Sequence, residues 1–337
     1  EAPCDAVAAS ARRSFVFDEL SEKTMEEATI DEAVWSSVIE GAFTSKAEAA
    51  RIIQQNKSPS NKSEQMVKNN YQALMYVLEH LEDPITAQTL IDIARMVTCG
   101  AADETVEEFR TLPVYVTGRE GIVYTPPDAA QVPAMVDDLL AFITDSELHP
   151  LLKACIAHFY FVHVHPFTDG NGRTARLMSG YYLDLCGYGF GGMGSLEEYF
   201  AYDVDEYYPS LQMGLPALYY SGRERPPHPE IWMEYFLRMV QLYAQKTSEL
   251  VNEAASSQLN ASLSHLSPKE RAFYEHLLAA GAEEFAPIDA ARAFGVTHRT
   301  VINLTPAFAQ VGLTQPHFVH ETTHTYRTVQ PWHTNNE

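Results

Sequence analysis

The sequence of residues 165–176 is HPFTDGNGRTAR, a stretch that combines several groups able to handle phosphate. It contains a histidine that can accept a proton, two glycines and two arginines. The glycines let successive backbone N–H groups turn toward one anion, and a helix that begins near Asn171 adds its positive end. Arg173 and Arg176 lie three residues apart on that helix, so both can hold terminal phosphate oxygens. Asp169 is an oxygen ligand of the kind that Mg²⁺ takes together with phosphates and water.

A family resemblance follows from this stretch. It matches every fixed position of the H-P-F-x-D-G-N-G-R-x-x-R signature, so the chain resembles the Fic (filamentation induced by cAMP) family. The resemblance implies a mainly α-helical Fic-type domain with a β-hairpin flap. It also implies a protein adenylyltransferase that moves AMP from ATP to a Ser, Thr or Tyr hydroxyl of a target protein or of itself. Gly172 stands where phosphorylating relatives carry a lysine, which favours AMP transfer.

The same resemblance implies the roles of the site residues. The catalytic base would be His165, and the Mg²⁺ ligand would be Asp169. The backbone around the loop would form the anion hole for the inner phosphates, and two arginines would hold the outer ones. These phosphate-binding residues are Gly170, Asn171, Gly172, Arg173 and Arg176. A simple turn before a helix would explain residues 169–171, but it would not require both arginines.

A second motif lies upstream at residues 36–41, SSVIEG. Ser36, Glu40 and Gly41 fit the S/T-x-x-x-E-G/N pattern of self-inhibited members of the same family. If Glu40 reaches Arg176, it forms an ion pair with the side chain that should bind the γ-phosphate. We therefore expect autoinhibition, which the substitution Glu40→Gly should relieve. Flanking aromatic residues, Trp35 and Phe43, are expected to anchor the motif by packing. The alternative is an exposed helix turn that ends at Gly41.

Residues 111–127 predict a β-hairpin, because apolar and polar residues alternate on both sides of a Gly-x-x-Gly turn. In the family this flap docks the target segment by strand addition beside the active site. The docking residues expected here are Thr111, Val114, Val116, Val123 and Tyr124. The alternative is a surface hairpin without such a role.

An adenine pocket is expected downstream of the signature. Residues 207–211, YYPSL, resemble the Tyr-Tyr-x-Ala-Leu segment that lines this pocket in the family, so Tyr207 and Tyr208 are candidates for adenine binding. Tyrosines at helical spacing are also common in a core. Leu215 replaces the polar amide that often follows in the family, which leaves the details of base recognition open.

The domain organisation follows from changes in composition. We expect an N-terminal helical region over 1–110, a Fic core over 111–254, a linker over 255–263 and a winged helix-turn-helix domain over 264–337. The last region resembles a module that several Fic proteins carry. It has five Lys or Arg against seven Asp or Glu, so we favour protein contact or homodimerisation over nucleic-acid binding.

The overall charge also excludes some functions. With 23 basic and 45 acidic residues, the net charge of −22 argues against nonspecific binding to nucleic acid or to an anionic membrane. No apolar stretch approaches the length that spans a bilayer. The four cysteines, Cys4, Cys99, Cys155 and Cys186, show neither metal-binding nor disulfide spacing, so we expect reduced thiols and a cytoplasmic location.

Two other functions remain open from the sequence. The first is removal of AMP, in which Glu40 positions a water molecule instead of merely obstructing ATP. The second is a transcription regulator, in which the C-terminal module binds DNA and the Fic domain senses nucleotide.

Overall fold

The computed structural model describes residues 19–80, 83–118, 121–189, 194–215, 225–280, 284–311, 313–320 and 323–328. The chain divides into two compact units, residues 1–248 and residues 249–337. Helices dominate the chain, which confirms the predicted fold class. Each unit contains a separate cluster of buried apolar side chains.

Four helices precede the flap in the first unit: α1 (Glu19–Ile39), α2 (Lys46–Gln54), α3 (Lys62–Glu79) and α4 (Ala87–Thr98). Three of them begin after a residue whose side chain accepts a hydrogen bond from a first-turn backbone N–H. Such a cap satisfies a donor that has no partner within the helix. The capping residues are Ser45, Asn61 and Thr86. A short polar segment separates α2 from α3.

The centre of the first unit is a pair of packed helices, α6 (Pro150–Val164) and α7 (Asn171–Leu185). The preceding helix, α5 (Val132–Asp145), also packs on α6. Because α6 is apolar on nearly every face, it is buried on all sides, and each large side chain removed from water contributes about 1.5–3 kcal/mol. The loop that joins α6 to α7 contains residues 165–170.

Three further helices complete this unit: α8 (Leu196–Tyr202), α9 (Val204–Ser210) and the first part of α10 (Pro229–Ser264). Aromatic side chains from these helices fill the core against α6. Trp232 is 1% exposed, and its indole N–H donates to the carbonyl of Cys155 at 2.9 Å. Helix α1 packs between α3 and α8, which holds it against the central pair.

The predicted hairpin is confirmed but is shorter than the sequence suggested. Strands β1 (Val116–Gly118) and β2 (Gly121–Tyr124) pair antiparallel, with Thr117 opposite Ile122. Two expected docking residues, Thr111 and Val114, precede β1 and are not in a strand. The register shifts after the first residue of β1, which limits the regular ladder.

The second unit contains α11 (Pro268–Ala279), β3 (Glu284–Phe285), α12 (Pro287–Phe294), α13 (His298–Gln310), β4 (Thr314–His320) and β5 (Thr323–Thr328). Its antiparallel sheet has the order β3-β5-β4. The three helices and the two-stranded wing were expected, whereas β3 was not. Phe273 and Phe308, both fully buried, stack in the core of this unit.

The predicted linker over 255–263 is wrong. These residues are the last turns of α10, and the two compact units divide at 248/249 instead. The segment is rich in Ala, Ser, Gln and Asn. Of these residues, Ala and Gln also favour a helix. Composition alone therefore could not distinguish a linker from the end of a long helix. Cys4 and residues 329–337 lie outside the described residues.

Candidate active site

His165 lies in the loop after α6, in a backbone conformation that is unusual for a residue other than glycine. Its φ is 50° and its ψ is 60°, and its N–H donates to the carbonyl of Phe161 at 2.9 Å. Such left-handed conformations cost about 1–3 kcal/mol, and they persist only where surrounding contacts hold them. The imidazole Nδ1 lies 3.3 Å from the carbonyl of Val162. A carbonyl only accepts, so Nδ1 carries the proton and Nε2 is left as the basic nitrogen.

The charge state of His165 follows from its surroundings. Burial lowers its pKa from 6.5 to about 4, and the nearby Arg110 guanidinium acts in the same direction. The Val162 carbonyl, Glu40 and Asp169 act against this shift. The imidazole is therefore neutral at pH 7, as a general base must be.

The loop after His165 is shaped by the side chain of Asn171. Its amide donates to the carbonyl of Phe167 at 2.9 Å and accepts from the N–H of Phe167 at 2.9 Å. Gly170 has a φ of 78°, and a Cβ there would lie 2.9 Å from Cγ2 of Thr98. The first-turn amides of residues 171–173 precede the first hydrogen bond of the helix, from Thr174 N to Gly170 O at 2.9 Å. These amides and the helix dipole give an anion site.

Arg173 is 4% exposed and lies across the start of α7. Its Nη1 donates to the carbonyl of Val97 at 2.5 Å, and its Nη2 lies 3.1 Å from Oδ1 of Asp169. The Asp169 side chain itself is 47% exposed. Helix α4 therefore holds one side of the guanidinium, and the exposed carboxylate lies at the mouth of the loop.

Arg176 connects α7 to the end of α1. Its Nη2 lies 2.8 Å from Oε1 of Glu40, and the same nitrogen donates to the carbonyl of Ser36 at 3.0 Å. Its Nε donates to Oγ of Ser36, also at 3.0 Å. The Arg176 side chain is 1% exposed, and the Glu40 side chain is 29% exposed. The structure thus brings the two sequence motifs together.

The electrostatics of this pair favour two full charges. Burial by itself raises the pKa of Glu40, but Arg176 and then Arg173 outweigh it, so the pKa lies below its usual value. Burial lowers the pKa of Arg176, and the Glu40 carboxylate more than compensates, so this pKa is raised. Glu40 is therefore an anion at neutral pH. It is paired with Arg176, which the family resemblance leads us to expect as a phosphate-binding residue.

Helix α1 ends at this motif, but only one of its aromatic flanks packs as expected. Gly41 has a φ of 85°, which suits a residue just past a helix. Trp35 contacts Tyr202, with ring centroids 5.1 Å apart. Phe43 is 90% exposed, so its predicted anchoring role is wrong. It follows the turn after Gly41, where α1 no longer faces the core.

The two candidate adenine residues differ in accessibility. Tyr207 is 1% exposed, and its hydroxyl lies 3.0 Å from Nε2 of His158, so its ring is a core residue and does not fit adenine binding. Tyr208 is 49% exposed, and its hydroxyl donates to the carbonyl of Ile39 at 3.2 Å. Tyr208 therefore remains a candidate and also touches the last residue of α1.

The flap residues also differ in orientation. Tyr124 is 4% exposed, and its hydroxyl lies 2.7 Å from Nδ1 of His163. It anchors the flap to α6 instead of facing a target. The exposed side of the flap carries Tyr115 and Ile122, which are 55% and 43% exposed. Sequence reasoning did not single out either residue.

Arg110, just before the flap, was also missed by sequence reasoning. It is 3% exposed, and its side chain donates to the backbone carbonyls of Val164 and His165. It also donates to the carbonyls of Leu112 and Pro127, on the two sides of the flap. The only sequence signal was an arginine at the junction of a polar segment and a predicted strand, which is too common to indicate a role.

These observations define a helical domain in which a neutral histidine faces an anion-binding helix start and two buried arginines. Residues 84–183 match the model of the Fic/DOC family, so this segment is similar to a Fic domain. The matched segment contains α4, the flap, α5, α6 and nearly all of α7.

Known proteins agree with this assignment. The chain is 30% identical over 171 residues to "Protein adenylyltransferase Fic" of Aedes aegypti, which covers 48% of this chain and 33% of that protein. It is 38% identical over 104 residues to the protein of the same name from Drosophila willistoni, covering 31% of this chain and 20% of the relative. The matches thus span a third or less of these relatives' length.

A solved structure extends the similarity to the whole fold. A Fic family protein from Desulfovibrio desulfuricans G20 aligns with a TM-score of 0.60 and 20% identity, over 96% of this chain and 94% of that chain. At this identity the comparison concerns the fold alone. Among the described residues, no helix is both long and apolar enough to cross a membrane.

Proposed function

We propose that this protein transfers AMP from ATP to a Ser, Thr or Tyr hydroxyl of a protein, and that Glu40 keeps its basal activity low. The observation that carries the proposal is the ion pair of 2.8 Å between Glu40 and Arg176, on the helix that bears the anion site. The relatives named protein adenylyltransferase support the reaction type. The target can be another protein or the enzyme itself.

The chemical step uses His165 as the general base. A target hydroxyl attacks the α-phosphorus of ATP in line, its proton passes to Nε2 of His165, and pyrophosphate leaves. The new bond joins the hydroxyl oxygen to phosphorus, and the bond to the bridging oxygen breaks. The lowered pKa of His165 keeps the base unprotonated before the attack.

The start of α7 binds the phosphates in this proposal. The amides of Asn171, Gly172 and Arg173 face the inner phosphates, since these N–H groups precede the helix's own hydrogen bonds. The side chains of Arg173 and Arg176 hold the outer phosphates. Arg176 serves this role only when Glu40 leaves it.

Mg²⁺ fits the donor set at Asp169. Its carboxylate is 47% exposed at the mouth of the loop, and Mg²⁺ takes one or two carboxylates and completes its shell with phosphate and water. Within the described ranges no group of three or more His, Cys, Asp or Glu residues is arranged to hold a metal, so a cage made entirely of protein ligands does not occur there. When bound, the ion would neutralise phosphate charge.

Inhibition follows from competition for one cation. The Glu40 carboxylate is ionised and already paired with Arg176, so a γ-phosphate meets negative charge where it needs positive charge. Nucleotide can then still bind, but with its α-phosphorus out of line for attack. Removal of the carboxylate frees the guanidinium.

The direct test is mass spectrometry of wild type and Glu40→Gly after incubation with ATP and Mg²⁺. We expect the variant to add adenylyl groups to itself or to lysate proteins at least tenfold faster than wild type. The double variant Glu40→Gly/His165→Ala is the matched control and should add none. Equal labelling by wild type and Glu40→Gly would reject the inhibitory role, and no labelling by either would reject AMP transfer.

Removal of AMP is a second candidate, favoured by one observation. The Glu40 carboxylate is ionised and 29% exposed, so it can position a water molecule beside the anion site. A target that already carries AMP distinguishes the two reactions. Removal requires Glu40 and stops in Glu40→Gly, whereas transfer becomes faster in the same variant.

The remaining parts of the proposal concern the setting of the enzyme. We propose that residues 264–337 form a winged-helix-like domain that contacts another protein or mediates homodimerisation. Their few basic residues would neutralise the phosphates of a nucleic acid poorly. Gel-shift titration at low salt tests the alternative of nucleic-acid binding. We also propose a cytoplasmic location, because the four cysteines of the sequence lack the spacing of a disulfide framework.

A further inference from the structure

Arg110 is a buried cation whose hydrogen bonds go to backbone carbonyls. The side chain donates from Nε to the carbonyl of His165 at 2.7 Å and from Nη2 to the carbonyl of Val164 at 3.2 Å. The same Nη2 donates to the carbonyl of Pro127 at 2.7 Å, and Nη1 donates to that of Leu112 at 3.4 Å. These bonds use four of the five N–H donors of a guanidinium.

The four acceptors belong to two functional segments. Leu112 and Pro127 bracket the flap, whereas Val164 and His165 are the end of α6 and the proposed base. The backbone N–H of Arg110 adds a fifth bond, to the carbonyl of Pro166 at 2.8 Å. One residue thus fixes both ends of the flap relative to the loop that carries the base.

The backbone of His165 needs such support. Its left-handed conformation, with φ at 50°, is costly for a side chain with a Cβ, and it orients the carbonyl toward Nε of Arg110. A rigid guanidinium fork can hold several carbonyls at fixed angles. A lysine ammonium is a single point on a flexible chain and cannot reach both segments with the same geometry.

We propose that Arg110 is a positioning residue for AMP transfer, which holds the proposed base and the flap in one network. This inference rests on the proposed function. Arg110 acts through the backbone of His165 and not through ATP, because carbonyls occupy four of its five side-chain donors and other arginines lie at the proposed phosphate site. Its loss should therefore slow the reaction without weakening nucleotide binding.

The test uses Arg110→Lys and Arg110→Gln in the full chain that carries Glu40→Gly. Calorimetry gives the dissociation constant for Mg-ATP, and labelling with ATP radioactive at the α-phosphate gives the rate at saturating nucleotide. We expect a rate that is about 10- to 100-fold lower, because small displacements of a catalytic group have effects of this size. The dissociation constant should stay within about twofold of the parent's.

Arg95→Lys is the matched control. Arg95 lies on α4 and pairs with the carboxylates of Asp92 and Glu107 at the surface. The labelling rate of the Arg95→Lys variant and its affinity for Mg-ATP should therefore equal those of the parent. If Arg110→Gln fails to fold, Arg110→Lys decides. Failure of Arg110→Lys to fold, a parental rate at saturating nucleotide, or a dissociation constant for Mg-ATP that rises by more than about twofold would each overturn the inference. An inactive Glu40→Gly parent would instead contradict the proposed function.

Discussion

Oε1 of Glu40 lies 2.8 Å from Nη2 of Arg176, although 136 residues separate them in the chain. Gly172 lies against the same carboxylate, because a Cβ added at this glycine would overlap Oε1 of Glu40. Gly172, which the family resemblance leads us to expect in an AMP transferase, is therefore also the position that leaves room for the proposed inhibitory side chain.

Ser36→Ala should partly relieve inhibition. The Ser36 hydroxyl accepts from Nε of Arg176 at 3.0 Å, and loss of one such bond weakens the contact by about 0.5–1.5 kcal/mol. We expect basal labelling to rise about two- to tenfold. Ser37→Ala is the control, since Ser37 bonds to Ala33 and Asn70 instead. It should leave labelling unchanged, and a similar rise in both variants would contradict the prediction.

Gly172→Ala should have opposite effects in two backgrounds. With Glu40 present, the new Cβ displaces the carboxylate from Arg176, and the melting temperature should fall. With Glu40→Gly, that obstacle is absent, and alanine favours a helix over glycine by about 0.5–1 kcal/mol. The melting temperature should then stay equal or rise. Thermal unfolding of the four proteins measures this coupling, and additive effects would show that the two positions do not interact.

The labelling rate of Glu40→Gly should not depend on pH between 5.5 and 8. The pKa of His165 is lowered to about 4, so its imidazole stays neutral over this range. Removal of the Glu40 carboxylate takes away a charge that raises this pKa and shifts it further down. Initial rates at saturating ATP test the point. A rate that halves near pH 6.5 would show an ordinary histidine pKa and contradict the burial argument.

Glu197→Gln should stabilise the protein at high pH. Glu197 is 3% exposed, and burial raises its pKa to about 7, while burial and the charge of Glu197 raise that of Asp184 to about 7. A raised pKa favours the protonated acid in the folded state. This contribution is complete below about pH 4.5 and is lost as the pH rises through about 7.

Glutamine cannot ionise, so at pH 8 the variant should melt at a higher temperature than wild type. We expect its free energy of unfolding to be larger by about 1–3 kcal/mol. At pH 5, where Glu197 stays protonated in the folded protein, this difference should be much smaller. Glu198→Gln, on the same helix but only half-buried, is the control and should show a difference that does not change between the two pH values. A constant gap for Glu197→Gln would place its effect outside ionisation.

Local sequence was sufficient for the helical class of the fold and for the hairpin. The start of α7 at Asn171 and the hairpin were predicted because turns and glycines act over a few residues. The same local reasoning was wrong for residues 255–263, where a polar composition continues a helix, and for Phe43, which is exposed.

By itself, the sequence determined that a histidine, an aspartate, two glycines and two arginines meet around a helix start, because twelve consecutive residues carry them all. Tertiary structure alone decided the rest. It brought Glu40 to Arg176, buried Tyr207 in the core, and let Arg110 donate to the carbonyl of His165. Such contacts depend on how helices distant in the chain pack, and the shape of a buried interface is not encoded in the local pattern of either partner.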